Sequence, residues 1–178
     1  VTLDLATVEP SLAGPSRPHD RVTPAGLPES FSKGLAAHGV KDPAARFDVA
    51  LGEKSVSLGH GAIAIAAITS CTTATDPAMM VGAGILAKKA VERGLAPKPW
   101  VKKVLAPGSR VTSLMLERAG LTGALRKLGF YTCGFGCMSC IGNSGDIPES
   151  LKELSSSMEL TSVLSGNRNF EGRISPYV

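Results

Sequence analysis

Cys137 and Cys140 stand two residues apart inside the glycine-rich segment GFGCMSCIGNSG, residues 134–145, where the residue types of this sequence are best suited to chemistry. A CxxC pair places two thiolates within reach of one soft metal ion or of an iron–sulfur cluster, and the surrounding glycines give the backbone the freedom such a tight wrap needs. Two thiolates seldom complete a site. Further sulfur ligands can come only from Cys71 and Cys133.

The spacing leaves several readings open. Cys71, Cys137 and Cys140 can serve as three ligands of an iron–sulfur cluster, leaving one iron without a protein ligand and able to act as a Lewis acid on a hydroxyl or carboxylate. CGFGCMSC also reads as CxxxCxxC with Cys133, the spacing of radical enzymes that use S-adenosylmethionine, although those carry an aromatic residue where this chain has Ser139. A zinc site using all four thiolates is a third possibility, but Cys71 lacks a CxxC partner of its own. The fourth is that the cysteines are ordinary buried thiols, which suits Cys133 on an apolar strand and suits the CxxC poorly.

Arg168 and Arg173 fall in a polar loop with Asn167 and Asn169, and guanidinium forks are suited to bidentate binding of carboxylates. A loop arginine is equally often just solvated. His19, His38 and His60 have no sequence neighbours that suggest a ligand or catalytic role, so they are read as structural or exposed.

The elements that must position these residues are legible in outline. Residues 1–30 hold five of the twelve prolines, which predicts an extended, irregular arm, with one α/β domain over residues 31–178. A short helix over 32–37 and an edge strand over 54–58 are expected before the apolar run AIAIAAIT, residues 62–69, whose lack of alternation suits a strand covered on both faces of a parallel sheet. Cys71 follows just past its carboxyl end. Asp76 then caps, and Pro77 starts, a helix over 78–93 that Gly94 stops. The pattern recurs with a strand over 100–105, a broken helix pair over 112–119 and 122–128, and a third strand over 130–133 that leads into the CxxC turn. A helix over 148–154 and a fourth strand over 160–164 lead to the loop of Asn167, Arg168 and Arg173. The expected fold is therefore a three-layer α/β sandwich with a mostly parallel sheet, the three loops converging at the carboxyl ends of its strands.

Composition narrows the function classes. The 178 residues are 43% hydrophobic, enough for one sizeable core, and no run approaches the roughly 18 apolar residues of a membrane span. The start lacks a signal-peptide pattern, so a cytoplasmic protein without a membrane partner is expected. The net charge of +4 comes from scattered Lys and Arg, and aromatics are only 4%, which leaves no stacking platform for single-stranded nucleic acid. A first residue other than Met and an end without a closing element read as a segment of a longer protein.

In their order along the chain, DLATVEPSLAGPSRPHDRV, AITSCTTATDPAMMVGAGILAKKAVERGL, LAPGSRV, GFGCMSCIGNSG and LSGNRNFEGR resemble motifs of the aconitase family. The first is most similar to the branch that contains bacterial aconitase A and the cytosolic aconitase that doubles as iron regulatory protein. The resemblance implies the third of four domains and a [4Fe-4S] cluster held by Cys71, Cys137 and Cys140. It also implies a tricarboxylic acid substrate whose carboxylates meet Arg168 and Arg173, with Asn167 beside the cluster. The implied reaction is that of a tricarboxylic acid cycle lyase, converting citrate to isocitrate through cis-aconitate. The family's serine base, with its assisting His and Asp, belongs to other domains. No catalytic base is therefore expected in these residues, and the segment alone is expected to be inactive. Thr73 stands where the family usually has Asn after SCT, and Asp146 where Pro is common after GNSG. Those departures keep a 2-methylcitrate or 2-methylisocitrate dehydratase open, as well as an RNA-binding regulatory role of the cluster-free form, which the modest charge does not favour.

Overall fold

In the computed structural model the described residues are 2–14, 17–71, 76–166 and 172–178. The proline-spaced arm holds one 3-10 turn, Leu5–Thr7, and a two-residue antiparallel pair, β1 (Leu12–Ala13) with β2 (Arg21–Val22), and it is largely exposed. Helix α1, Leu27–Ala37, starts earlier than expected because Pro28 falls in its first turn, where a missing N–H costs nothing. The expected edge strand becomes half of an antiparallel hairpin, β3 (Arg46–Leu51) with β4 (Lys54–Gly59), closed by Gly52 at φ +64°. Its pairing is with its own sequence neighbour and not with the parallel sheet.

Strand β5, Ala62–Thr69, leads through the loop of Cys71 to α2, Pro77–Glu92, where the Asp76 carboxylate accepts a 2.9 Å hydrogen bond from the Ala78 amide. Strand β6 (Lys102–Ala106), helices α3 (Arg110–Arg118), α4 (Thr122–Lys127) and α5 (Glu149–Leu154), and strand β7 (Leu160–Leu164) complete the order. The sheet runs β6-β5-β7, all parallel, with β5 at the centre. A central strand loses both edges and both faces to neighbours, which is why its sequence tolerates no polar alternation.

Residues 130–133 form a single parallel bridge, Leu105 with Thr132, in place of the expected third strand. Two hydrogen bonds hold it, from the Leu105 amide to the Tyr131 carbonyl (3.1 Å) and from the Cys133 amide to the Leu105 carbonyl (3.0 Å). Tyr131 is 61% exposed, so this segment has the one-sided cover of an edge and makes only a short ladder.

Two layers cover the sheet. On one face Leu105 and Ile68 pack with Met80 and Ala87 of α2, Leu116 of α3, and Leu121 and Leu125. Met80, Gly84 and Ala87 recur at intervals of four and three, the stripe by which a helix meets a core. On the other face Ile65 and Leu160 pack with Val49 and Leu58 of the hairpin, Leu151 of α5, Ile147 and Ile174, while Met138 from the CxxC loop lies against Ala67, Val104 and Ala106. The molecule is thus an α/β sandwich with a parallel sheet. The CxxC loop is itself part of its second layer. Among the described residues no helix is long and apolar enough to cross a membrane.

Candidate metal centre

The carboxyl ends of β5 and β7 are tied together before any cysteine is reached. The Ser165 hydroxyl donates to the Thr69 carbonyl at 2.7 Å and accepts from the Thr69 amide at 2.9 Å, while the Ser165 amide donates to Ala67 at 3.1 Å. From β6, the Ala106 carbonyl accepts from the Ser70 amide at 3.1 Å. These bonds fix the direction in which the chain leaves β5, and Cys71 is the next residue. Ser165 was not singled out from sequence. Its signal was positional, as the first polar side chain past an apolar strand at the same sheet edge.

The CxxC loop is anchored at both ends. The Gly136 amide donates to the Pro107 carbonyl at 2.9 Å, which attaches the loop to the turn after β6. Ser139–Ile141 form a 3-10 turn, and the Asn143 amide reaches back to the Met138 carbonyl at 2.9 Å. Gly142 has φ +78°, and a Cβ built there would lie 3.1 Å from the Arg173 carbonyl oxygen and 3.4 Å from that of Ile174. Only glycine can take that backbone conformation with a neighbouring chain so near.

Cys71 Sγ and Cys137 Sγ lie 4.0 Å apart, although 66 residues separate them in sequence. Cys71's thiol is held above its ordinary value, first by its hydrogen bond with Cys137, then by that residue's charge and by burial. Cys140 is buried, and burial raises its thiol most; Cys137 raises it further, and Cys71 adds to the same direction. Two thiols held up beside a third sulfur are what a thiolate site looks like before a positive charge is supplied. Gly166 shows how closely the loops meet, because a Cβ on it would lie 2.7 Å from Thr69 Cγ2 and 3.5 Å from Cys140 Cβ.

Cys133 is placed differently. It is exposed, which corrects the expectation of a buried thiol on an apolar strand. Among the described residues no group of three or more His, Cys, Asp or Glu is arranged to hold a metal ion. The donor chemistry is nevertheless all soft sulfur, and the Ser139 and Thr69 hydroxyls, both buried, have no hydrogen-bond partner among the described residues. Soft donors spread over three loop positions suit an iron–sulfur cluster.

Arg173 reaches the site by an unexpected atom. Its Nε donates to the Cys140 carbonyl at 3.0 Å. Asn167, Arg168 and Thr73 lie outside the described residues. Asp146 is engaged structurally, its carbonyl accepting from Lys102 Nζ at 2.8 Å and its carboxylate from the Ile147 amide at 3.0 Å. Among the histidines, His60 Nδ1 accepts from the Glu159 amide at 3.1 Å with its ring edge-on to Phe47, and His38 Nδ1 lies 3.0 Å from a Glu159 carboxylate oxygen. His19 sits at the surface near Asp20, 4.0 Å away.

Comparison with known proteins gives the family of the chain. The sequence model of the Aconitase family (aconitate hydratase) matches residues 1–178. Aconitate hydratase A of Deinococcus radiodurans is 49% identical over 186 aligned residues, covering 100% of this chain and 20% of the relative. Aconitate hydratase A of Thermus thermophilus is 48% identical over 186, covering 99% of this chain and 21% of the relative. Phosphinomethylmalate isomerase of Streptomyces viridochromogenes is 50% identical over 181, covering 100% and 20% respectively. The chain spans about a fifth of the length of these relatives, and it belongs to the aconitase family.

Proposed function

We propose that this chain is the cluster-bearing part of an aconitase-type hydro-lyase that isomerises citrate to isocitrate through cis-aconitate. The observation that carries the proposal is the meeting of Cys71 with the CxxC loop, the two sulfurs 4.0 Å apart. Cys71, Cys137 and Cys140 would hold a [4Fe-4S] cluster, which when bound supplies an open Lewis-acidic iron for the substrate hydroxyl and carboxylate.

The chain's own residues contribute position. The bonds of Ser165 to Thr69 and of Gly136 to Pro107 keep the two cysteine-bearing loops at one sheet edge, so the geometry exists before substrate arrives. Arg168 and Arg173 would hold substrate carboxylates, with Asn167 beside them, and their planar donors would fix the substrate's register. The base that takes the proton would come from other domains of the parent enzyme. Cytoplasmic location is part of the same proposal.

A second substrate has specific support. The Streptomyces relative is named an isomerase of phosphinomethylmalate and is as similar as the aconitate hydratases. Turnover of a phosphinomethylmalate-type hydroxy acid is therefore the alternative within the same chemistry, and a methylcitrate dehydratase is a further one.

Anaerobic reconstitution with iron and sulfide tests the cluster, with absorption spectra and iron counts on wild type and on Cys71→Ser, Cys133→Ser, Cys137→Ser and Cys140→Ser. The expected result is a cluster that survives only the Cys133 change. A cluster lost with Cys133→Ser and kept with Cys71→Ser would overturn the assignment. Citrate and phosphinomethylmalate assays on the full protein then separate the two substrates.

A further inference from the structure

A loop that carries two cluster ligands has to be held by something when its own turns are too short to be rigid. The 3-10 turn Ser139–Ile141 is three residues long, and its end at Gly142 has a left-handed backbone. The segment that closes over it is residues 172–175. Ile174 and Ser175 are buried, which anchors that segment in the core, and the Arg173 and Ile174 carbonyl oxygens pass so close to Gly142 that a Cβ would stand 3.1 and 3.4 Å from them. From the same segment Arg173 Nε reaches the carbonyl of Cys140 at 3.0 Å. A hydrogen bond from a charged donor to a half-buried loop carbonyl is among the stronger kinds, and its loss removes that tie between the two segments.

We infer that Arg173 is a positioning residue for the cluster ligand Cys140, clamping the CxxC loop through Nε. This role is separate from any grip of its terminal nitrogens on substrate. The inference rests on the cluster reading above. The side chain's geometry makes the two roles separable. Nε of arginine is the fourth atom out from Cα, and the amide nitrogen of glutamine occupies the same place, so Arg173→Gln keeps a donor for the Cys140 carbonyl while removing the guanidinium fork. Arg173→Met keeps the bulk and removes both.

The test uses the full protein, reconstituted anaerobically, and follows loss of the cluster's visible absorption to an iron chelator, with KM measured alongside. Arg173→Met is expected to shed its cluster about tenfold faster than wild type, the scale of one charge-assisted hydrogen bond. Arg173→Gln is expected to retain it at close to the wild-type rate while its KM for substrate rises. Gly142→Ala, which crowds the same clamp with Arg173 intact, is expected to shed faster too and decides the matter should Arg173→Met fail to fold. Wild-type retention in both Arg173→Met and Gly142→Ala would overturn the inference, as would equal shedding by the Gln and Met variants. A wild type that assembles no cluster would instead bring down the reading on which the inference rests.

Discussion

Lys152 Nζ lies 2.6 Å from Asp146 Oδ2 and 3.0 Å from Glu149 Oε2, so one ammonium joins the end of the glycine-rich loop to the first turn of α5. The hydrogen bond from Lys152 holds the Asp146 carboxyl below its ordinary 3.8, with the Ile147 amide and the Lys102 charge acting in the same direction. Asp146 thus has a structural role in the loop's exit.

The pH consequence follows from linkage. Asp146 is a stronger acid folded than unfolded, so its contribution is fully present above its ordinary value and is lost as pH falls through the lowered one. Denaturant unfolding at a series of pH values from about 6 down to about 2 should show wild type losing more stability than Asp146→Asn. Parallel curves for the two proteins would refute this.

Gly166 is the residue on which the β5 and β7 loops close. Its replacement by Ala puts a methyl 2.7 Å from the β-branched, buried Thr69. Thr69 is held by Ser165 on both its amide and carbonyl and has little room to move. Gly166→Ala should cost about 1–3 kcal/mol in chemical denaturation. It should also lower iron content after reconstitution, because Cys140 Cβ is the next neighbour. Unchanged stability and iron content would show that the loops are looser than this.

Gly84 lets α4 approach α2. A Cβ there would meet Leu121 Cδ1 at 2.8 Å and Leu121 Cβ at 2.9 Å, and the second of these cannot swing away. Alanine would gain up to about 1 kcal/mol of helix propensity, and overpacking costs about 1–3 kcal/mol. A net loss of about 1 kcal/mol in the unfolding free energy is expected; a gain would mean that α4 shifts freely.

Leu151 carries α5 onto the hairpin side of the core and is fully buried. Leu151→Ala should destabilise by about 2–5 kcal/mol, read from the denaturation midpoint. A cost under about 1 kcal/mol would place α5 outside the cooperative core.

What could be read from the chain follows from how local the signal is. The runs of residues 62–69 and 160–164 became β5 and β7 with the predicted bounds, the first because an apolar stretch of strand length declares a central strand. Asp76 and Pro77 marked the start of α2 for an equally local reason, a cap and a donorless first residue. The segment 130–133 has strand-forming residues too, but its ladder stopped at one bridge because its length depends on cover from elsewhere. Residue identities likewise named the soft donors and the CxxC loop, whose spacing is set within four residues.

The meeting of Cys71 with Cys137 needed the tertiary structure. Cys133 is four residues from Cys137 and is exposed, while Cys71 is 66 residues away and lies 4.0 Å from it. Sheet order and register decide this, by setting β5 at the centre and bringing the exits of β5, β6 and β7 to one edge. The Arg173 clamp was hidden for the same reason: sequence supplies the guanidinium, and the partner of Nε is a backbone carbonyl 33 residues back that only the fold brings within reach.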